Sequence, residues 1–252
     1  MQLITSPENE YIRQLKKLKM KKYRETTGLF LAEGVRLVTE ALQARVVQEL
    51  LIHEDSTLEF ELVDGVNLIR VSDKVMKLLT ETETSQGVLA VCRTHLVSKP
   101  EQLAVGPWVA VDNLADPGNL GTIIRTAWGT GMCGVILLGD SVDPYNSKVV
   151  RASMGGIFHV PVIAADSSDI LSWQMAGHQL VVATAEAATS YAEASYAPSL
   201  ILVVGSEAHG VSPEIEARAE LAVSLPLQTG VDSINAAVCA GVLMYEIILQ
   251  RR

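Results

Sequence analysis

Apolar residues recur along this chain at two spacings, one helical and one of short strand-like runs. Over residues 11–24, Ile12, Leu15 and Leu18 fall at three-residue steps among lysines, which predicts one helix ended by Thr27-Gly28. A strand over 29–32, an amphipathic helix over 33–42, strands over 47–53 and 66–71, a helix over 73–79 and a strand over 87–92 follow. Together they predict a small α/β unit spanning residues 1–93. Pro100, Gly106 and Pro107 interrupt any regular element in residues 94–107, which read as a linker.

Beyond the linker the runs become almost wholly apolar. Strands are predicted over 108–111, 135–138, 158–163, 180–184, 200–205 and 221–225, with helices between most of them. Such strands alternating with helices imply a parallel sheet covered on both faces, within a second unit over residues 108–252. The final helix, predicted over 233–250, is apolar on almost every side through Ile234, Ala237, Val238, Val242, Leu243, Met244, Ile247 and Ile248. A surface helix keeps one polar face, so this one belongs to the core or to a subunit interface.

The net charge of −9 argues against whole-protein attraction to nucleic acid, but its distribution is uneven. Residues 1–24 hold Arg13, Lys16, Lys17, Lys19, Lys21, Lys22 and Arg24 against Glu8 and Glu10, a net of +5, so the remainder carries −14. A basic arm on an acidic body points to a polyanionic partner. Cys92, Cys133 and Cys239 fit neither a disulfide framework nor a zinc site and read as reduced thiols. No membrane span or secretory leader is read, so a cytoplasmic protein without a membrane partner is expected. No metal cluster is visible either.

Four loops carry candidate chemistry. Gly129-Thr-Gly-Met-Cys-Gly134 satisfies a dinucleotide fingerprint, but a helix precedes it and a strand follows, the reverse of the order that fingerprint needs. Its glycines read as a helix stop and a tight turn. The other three loops follow strand-like runs: Asn113-Leu-Ala-Asp-Pro-Gly-Asn-Leu-Gly-Thr-Ile-Ile-Arg-Thr-Ala127, Leu202-Val-Val-Gly-Ser-Glu-Ala-His-Gly-Val-Ser212 and Leu225-Pro-Leu-Gln-Thr-Gly-Val-Asp-Ser-Ile-Asn-Ala-Ala-Val238. On local chemistry alone, Asp116-Pro-Gly is a turn, and Asn119 and Ser233 are candidate helix caps. Arg125 sits on an otherwise apolar helix, where its permanent charge needs a partner.

In this order and spacing the three loops resemble the signature motifs of the SpoU (TrmH-like) RNA ribose 2′-O-methyltransferases of the SPOUT superfamily. Asn146-Ser-Lys-Val-Val-Arg-Ala-Ser-Met-Gly155 with Phe158-His-Val-Pro161 also resembles that family, and Phe30-Leu-Ala-Glu-Gly-Val-Arg36 resembles its accessory RNA-binding domain. The resemblance implies a C-terminal parallel-sheet SPOUT domain with a trefoil knot, preceded by a ribosomal-protein-like α/β domain. It implies a homodimer that methylates a ribose 2′-hydroxyl in rRNA, or less favourably tRNA, from S-adenosylmethionine. It places Asn119, Arg125, Glu207, Ser233 and Asn235 in the catalytic site, and Thr184, Gly205, Gly210, Leu225 and Ile234 at the cofactor. Asp232 departs from the small residue that the family favours there. Lys16, Lys17, Lys21, Lys22 and Arg36 are the RNA-binding candidates. Two other readings stay open: a non-catalytic RNA-binding protein on the same fold, and a nucleotide-dependent oxidoreductase.

Overall fold

The computed structural model describes residues 2–94, 100–206 and 209–251. The first half contains β1 (Gln2–Ile4), α1 (Glu10–Lys17), α2 (Lys21–Thr27), β2 (Leu29–Glu33), α3 (Val35–Gln43), β3 (Val47–His53), β4 (Asn67–Val71), α4 (Asp73–Leu79) and β5 (Val88–Arg93). Its five strands pair in the order β1-β4-β3-β5-β2. The pairs among β1, β4 and β3 are parallel, while β5 runs antiparallel to β3 and β2. Leu51, Leu89 and Val91 face α1 and α4 through Ile12, Leu15, Val75 and Met76; Phe30, Leu50 and Ala90 join the opposite core. This is the period-two alternation of a strand buried on both sides.

The helix predicted over residues 11–24 is two helices. Met20 is extended between them, at φ −101° and ψ 130°. The break is stabilised by side-chain bonds both within the segment and to the end of α4. Arg24 Nη1 donates to the Leu18 carbonyl at 2.8 Å, and Lys19 Nζ donates to the Leu78 and Thr80 carbonyls, both at 3.0 Å. Partial burial of the Lys19 ammonium lowers its pKa.

The second half contains β6 (Pro107–Asp112), α5 (Pro117–Thr130), β7 (Val135–Leu138), α6 (Ser147–Ala152), a 3-10 turn at Gly156–Phe158, β8 (Val162–Ala165), α7 (Ser167–Met175), β9 (Gln179–Ala183), β10 (Thr189–Ser190), β11 (Leu200–Gly205), α8 (Pro213–Glu216), β12 (Leu221–Ser224) and α9 (Ala236–Leu249). Its seven strands pair in the order β10-β12-β9-β11-β6-β7-β8, every pair parallel. The strand expected over 158–163 begins only at Val162, because Phe158 closes the 3-10 turn and Pro161 has no N–H for the ladder. Every residue of β6 is buried: Val109 and Val111 face the core under α5 and α9, and Trp108 and Ala110 face the core under α7. Two covered faces explain the unbroken apolar runs.

The core under α5 and α9 continues into the N-terminal sheet. Phe30 lies 4.6 Å from Tyr145 and 6.1 Å from Phe158, centroid to centroid. Arg24 Nε and Nη2 both donate to Asp143 Oδ2, at 2.9 and 2.5 Å, with both side chains nearly enclosed. Glu81 accepts from the Ser147 hydroxyl, and His159 Nε2 meets Glu40 Oε2 at 2.8 Å. Among the described residues no helix is long and apolar enough to cross a membrane. Removing one partner of a buried ion pair strands the other, so Asp143→Ala should destabilise the fold by about 3–5 kcal/mol. Urea unfolding followed by circular dichroism checks this, and Arg24→Met combined with Asp143→Leu should recover most of the loss.

Candidate active site

The sheet order creates a crevice at its carboxyl edge. β6 leads through α5 to β7 on one side, whereas its other neighbour, β11, leads through α8 to β12 beyond β9. Loops leave the β6–β11 pair in opposite directions, the arrangement that opens ligand sites in α/β sheets. A cavity of about 330 Å³ lies beside it, at the carboxyl ends of β9, β11 and β12 and under the start of α9. Thr184, Gly205, Gly210, Leu225 and Ile234, the five positions expected at the cofactor, all line it. Ser233 lines it as well.

Other wall residues were not singled out from the sequence. Val204, Val211, Val223, Leu227 and Ala236 make much of the wall apolar, and Glu186, His209 and Glu216 contribute polar groups. Cys239 reaches the cavity from α9, and burial pushes its thiol up to about 11, so it is neutral at pH 7. Its place five residues after Ile234 was the available signal, but it is meaningful only once α9 is known to begin at Ala236.

Close backbone contact explains Gly205. A Cβ there would fall 1.9–2.2 Å from the Gly210 carbonyl and the Val211 nitrogen. The chain doubles back on itself, with Ser206 and Gly210 exchanging N–H···O bonds of 3.1 and 2.9 Å. A side chain at position 205 would therefore displace the loop. Gly210 has φ +67°, so glycine suits that turn too.

The first motif loop enters α5 through Asp116, whose carboxylate caps the helix by accepting from Asn119 N–H at 2.7 Å, with Pro117 opening the first turn. Asn119 is thus inside the helix and is not its cap. Ser233 is likewise not the cap of α9. Asn235 is, with Oδ1 accepting from Ala237 and Val238 N–H at 3.0 and 3.2 Å. The Asn235 Nδ2 then donates to Asn119 Oδ1 at 2.9 Å, joining motifs one and three. Asn235 stands between two cavity residues, Ile234 and Ala236.

Arg125 projects from the exposed face of α5, and among the described residues its guanidinium has no hydrogen-bond or ion-pair partner. Glu207 lies outside the described residues. Gly131, at φ +74°, ends α5, while Gly129 is still helical. Lys16, Lys17, Lys21, Lys22 and Arg36 are all exposed on the N-terminal half. Lys17 lies over the Tyr23 ring at 5.3 Å, and Lys21 makes an exposed pair with Glu25. Arg24 and Lys19 belong to the fold instead. Among the described residues no cluster of three His, Cys, Asp or Glu side chains is placed to hold a metal.

The fold and cavity define a parallel-sheet α/β protein with a ligand site at its strand ends. Residues 107–245 match the SpoU rRNA Methylase family, and residues 9–90 match the MRM3-like substrate binding domain. The chain is 35% identical to the 23S rRNA (guanosine(2553)-2′-O)-methyltransferase RlmP of Bacillus subtilis, over 98% of this chain and 99% of that one. It is 29% identical to the mitochondrial rRNA methyltransferase 3 of Homo sapiens, covering 91% of this chain and 69% of that one. The AdoMet-bound rRNA methyltransferase from Sinorhizobium meliloti superimposes with a TM-score of 0.87 at 29% identity, covering 98% and 97% of the two chains. The SpoU methyltransferase AviRb from Streptomyces viridochromogenes, in complex with AdoMet, gives 0.86 at 26% identity, covering 97% and 98%. The protein belongs to the SpoU rRNA methylase family.

Asn235→Asp separates the two jobs of that residue. An aspartate caps a helix as well as an asparagine, but it cannot donate to Asn119 Oδ1. The unfolding midpoint should stay within a degree or two while methyl transfer falls a few-fold to about tenfold, the ~0.5–1.5 kcal/mol of one exposed hydrogen bond. Calorimetry and a tritium-transfer assay on the same preparation measure both.

Proposed function

We propose that this protein transfers the methyl group of S-adenosylmethionine to a ribose 2′-hydroxyl of ribosomal RNA. The observation that carries the reading is the shared wall: five positions drawn from separate stretches of chain meet on one cavity, with the Asn119–Asn235 contact beside it. One relative named as an rRNA 2′-O-methyltransferase and another named as an rRNA methyltransferase favour rRNA over tRNA. The cavity suits the cofactor. Its walls are apolar in part, its strand ends present backbone groups, and its described lining holds Glu186 and Glu216 but no Lys or Arg. A sulfonium cation meets no like charge there.

When bound, the cofactor supplies an electrophilic methyl group. Thr184, Gly205, Gly210, Leu225 and Ile234 would hold it, so that alignment of the two reactants supplies part of the rate. A guanidinium is not a base near neutral pH, so Arg125 is not assigned the proton-removing role. It acts as a fixed cation beside the 2′-oxygen as that oxygen gives its proton to water or to a substrate phosphate, and it grips the adjoining phosphate with its planar fork. Asn119, held by Asn235, orients the acceptor. Glu207 and Ser233 complete the catalytic set.

Residues 1–93 are assigned to RNA recognition and 108–252 to catalysis, joined through 94–107, with a trefoil knot in the second unit where β11 enters between β6 and β9. A homodimer is assigned through α5 and α9, on which Trp128, Val238, Tyr245 and Leu249 are exposed apolar side chains. A cytoplasmic setting accords with an rRNA substrate. The alternative, a non-catalytic RNA-binding protein, is separated by adding labelled S-adenosylmethionine and unmodified rRNA. Retention of label on the protein or the RNA supports the enzyme; binding of RNA without cofactor binding or transfer rejects it.

Arg125→Ala should abolish transfer with cofactor affinity within about twofold of wild type, and Arg125→Lys should be impaired nearly as severely because it lacks the fork. Near-normal turnover by Arg125→Ala removes this residue from the mechanism. For the basic arm, neutralising Lys16, Lys17, Lys21 and Lys22 should weaken RNA binding and lower its log–log salt slope by ~0.7 per lost phosphate contact on single-stranded RNA. An unchanged slope in filter binding across a salt series would mean the arm is only solvated surface.

A further inference from the structure

We propose that Asp112 is a positioning residue for the cofactor cavity, fixing the exit of the loop that follows β11. The proposal rests on the methyltransferase reading above. Asp112 ends β6 and stands in register with Gly205, the last residue of β11. It is 2% exposed. Its Oδ2 accepts from Ser212 N–H at 2.7 Å, and its Oδ1 accepts from Asn113 Nδ2 at 2.8 Å. Asn113, at φ +52°, in turn accepts from Asp140 N–H through Oδ1 at 3.0 Å. One carboxylate thus ties together the loops after β6, β7 and β11.

The loop after β11 supplies Ser206, His209, Gly210 and Val211 to the cavity wall. Its entry is fixed by the ladder at Gly205 and by the reciprocal Ser206–Gly210 bonds. Its exit, at Ser212, is held by Asp112 from the neighbouring strand. Among the described residues no Lys or Arg forms an ion pair with Asp112, and its printed partners are N–H donors. A carboxyl group is costly to bury on those terms, and a hydroxyl or amide acceptor would suffice to close a turn. What the two carboxyl oxygens add is one short bond to the Ser212 amide and a second to Asn113, and so a loop with less freedom next to the ligand.

The test uses the full-length protein and S-adenosylmethionine as the titrant. Asp112→Ala should raise the cofactor dissociation constant about tenfold and Asp112→Asn, which keeps an acceptor, about threefold. The KM for RNA should stay unchanged in both. Hydrogen exchange should show the Ser212 amide losing protection in Asp112→Ala and keeping most of it in Asp112→Asn. Ser212→Pro approaches the contact from the other side: φ at Ser212 is −60°, which proline adopts, so the N–H is removed with the backbone path kept. It should match Asp112→Ala in cofactor affinity, and it carries the test should Asp112→Ala not fold. Unchanged cofactor affinity in Asp112→Ala or Ser212→Pro, with only a lower unfolding midpoint, would overturn the proposal by reducing Asp112 to a structural role. A wild-type protein that binds no S-adenosylmethionine would instead reject the methyltransferase reading.

Discussion

The insertion of β11 between β6 and β9 is the constraint on which the rest of this structure depends. It gives β11 two parallel neighbours in full register, from Leu200 beside Pro107 and Gln179 to the strand ends at Gly205 and Asp112. A strand in that position has side chains buried on both faces, which is why residues 200–204 are all enclosed. It also brings the loops after β6 and β11 into contact, although the first Ser212–Asp112 partner lies a hundred residues from the second. The cavity follows, because β9 and β12 on the far side send their ends to the same edge. Contacts so distant in sequence form at a cost in loop-closure entropy, repaid by the burial of both faces.

How much was legible depends on whether a feature is settled locally. Strands β3, β7 and β11 were read with their observed bounds because continuous apolar runs flanked by turn residues have few other solutions. Helix boundaries were read less well where two capping residues compete. Asn119 and Ser233 are both reasonable caps by type, yet Asp116 and Asn235 hold those places. Proline after Asp116 fixes the first turn, and Asn235 lies nearer the start of α9, so neither Asn119 nor Ser233 caps a helix. The break after Leu18 was not legible at all, since its stabilisation comes from Arg24 and from α4. The short strands β1 and β10, of three and two residues, carry too little pattern to be seen. Asp112 was not singled out from the sequence, because its register with Gly205 exists only in the folded sheet.

Charge in the N-terminal segment divides in the same way. Counted along the chain it is a uniform basic arm. In three dimensions Arg24 is nine-tenths enclosed and tied to Asp143, and Lys19 is spent on backbone carbonyls. Lys16, Lys17, Lys21 and Lys22 stay in water, where a cation keeps its reach toward a phosphate at little desolvation cost. Net charge therefore overstates what this segment offers a polyanion, and exposure is the better measure.

Arg24 also bears on how the two halves act together. A domain tethered by a flexible linker would let its RNA-binding surface sample many distances from the cavity. Here Phe30 packs against Tyr145 and Phe158, the Arg24–Asp143 pair is enclosed, and Glu40 on α3 holds His159, whose ring stacks at 4.3 Å and 3° on Trp128 of α5. Glu40, His159 and Trp128 thus link α3, which also carries the RNA-binding candidate Arg36, to α5, which carries Arg125. An apolar core shared by two sheets does not deform continuously; it holds one arrangement until it is broken. Recognition on the N-terminal surface would then select a ribose by its distance and direction from that surface, leaving the cavity little need to read the base itself.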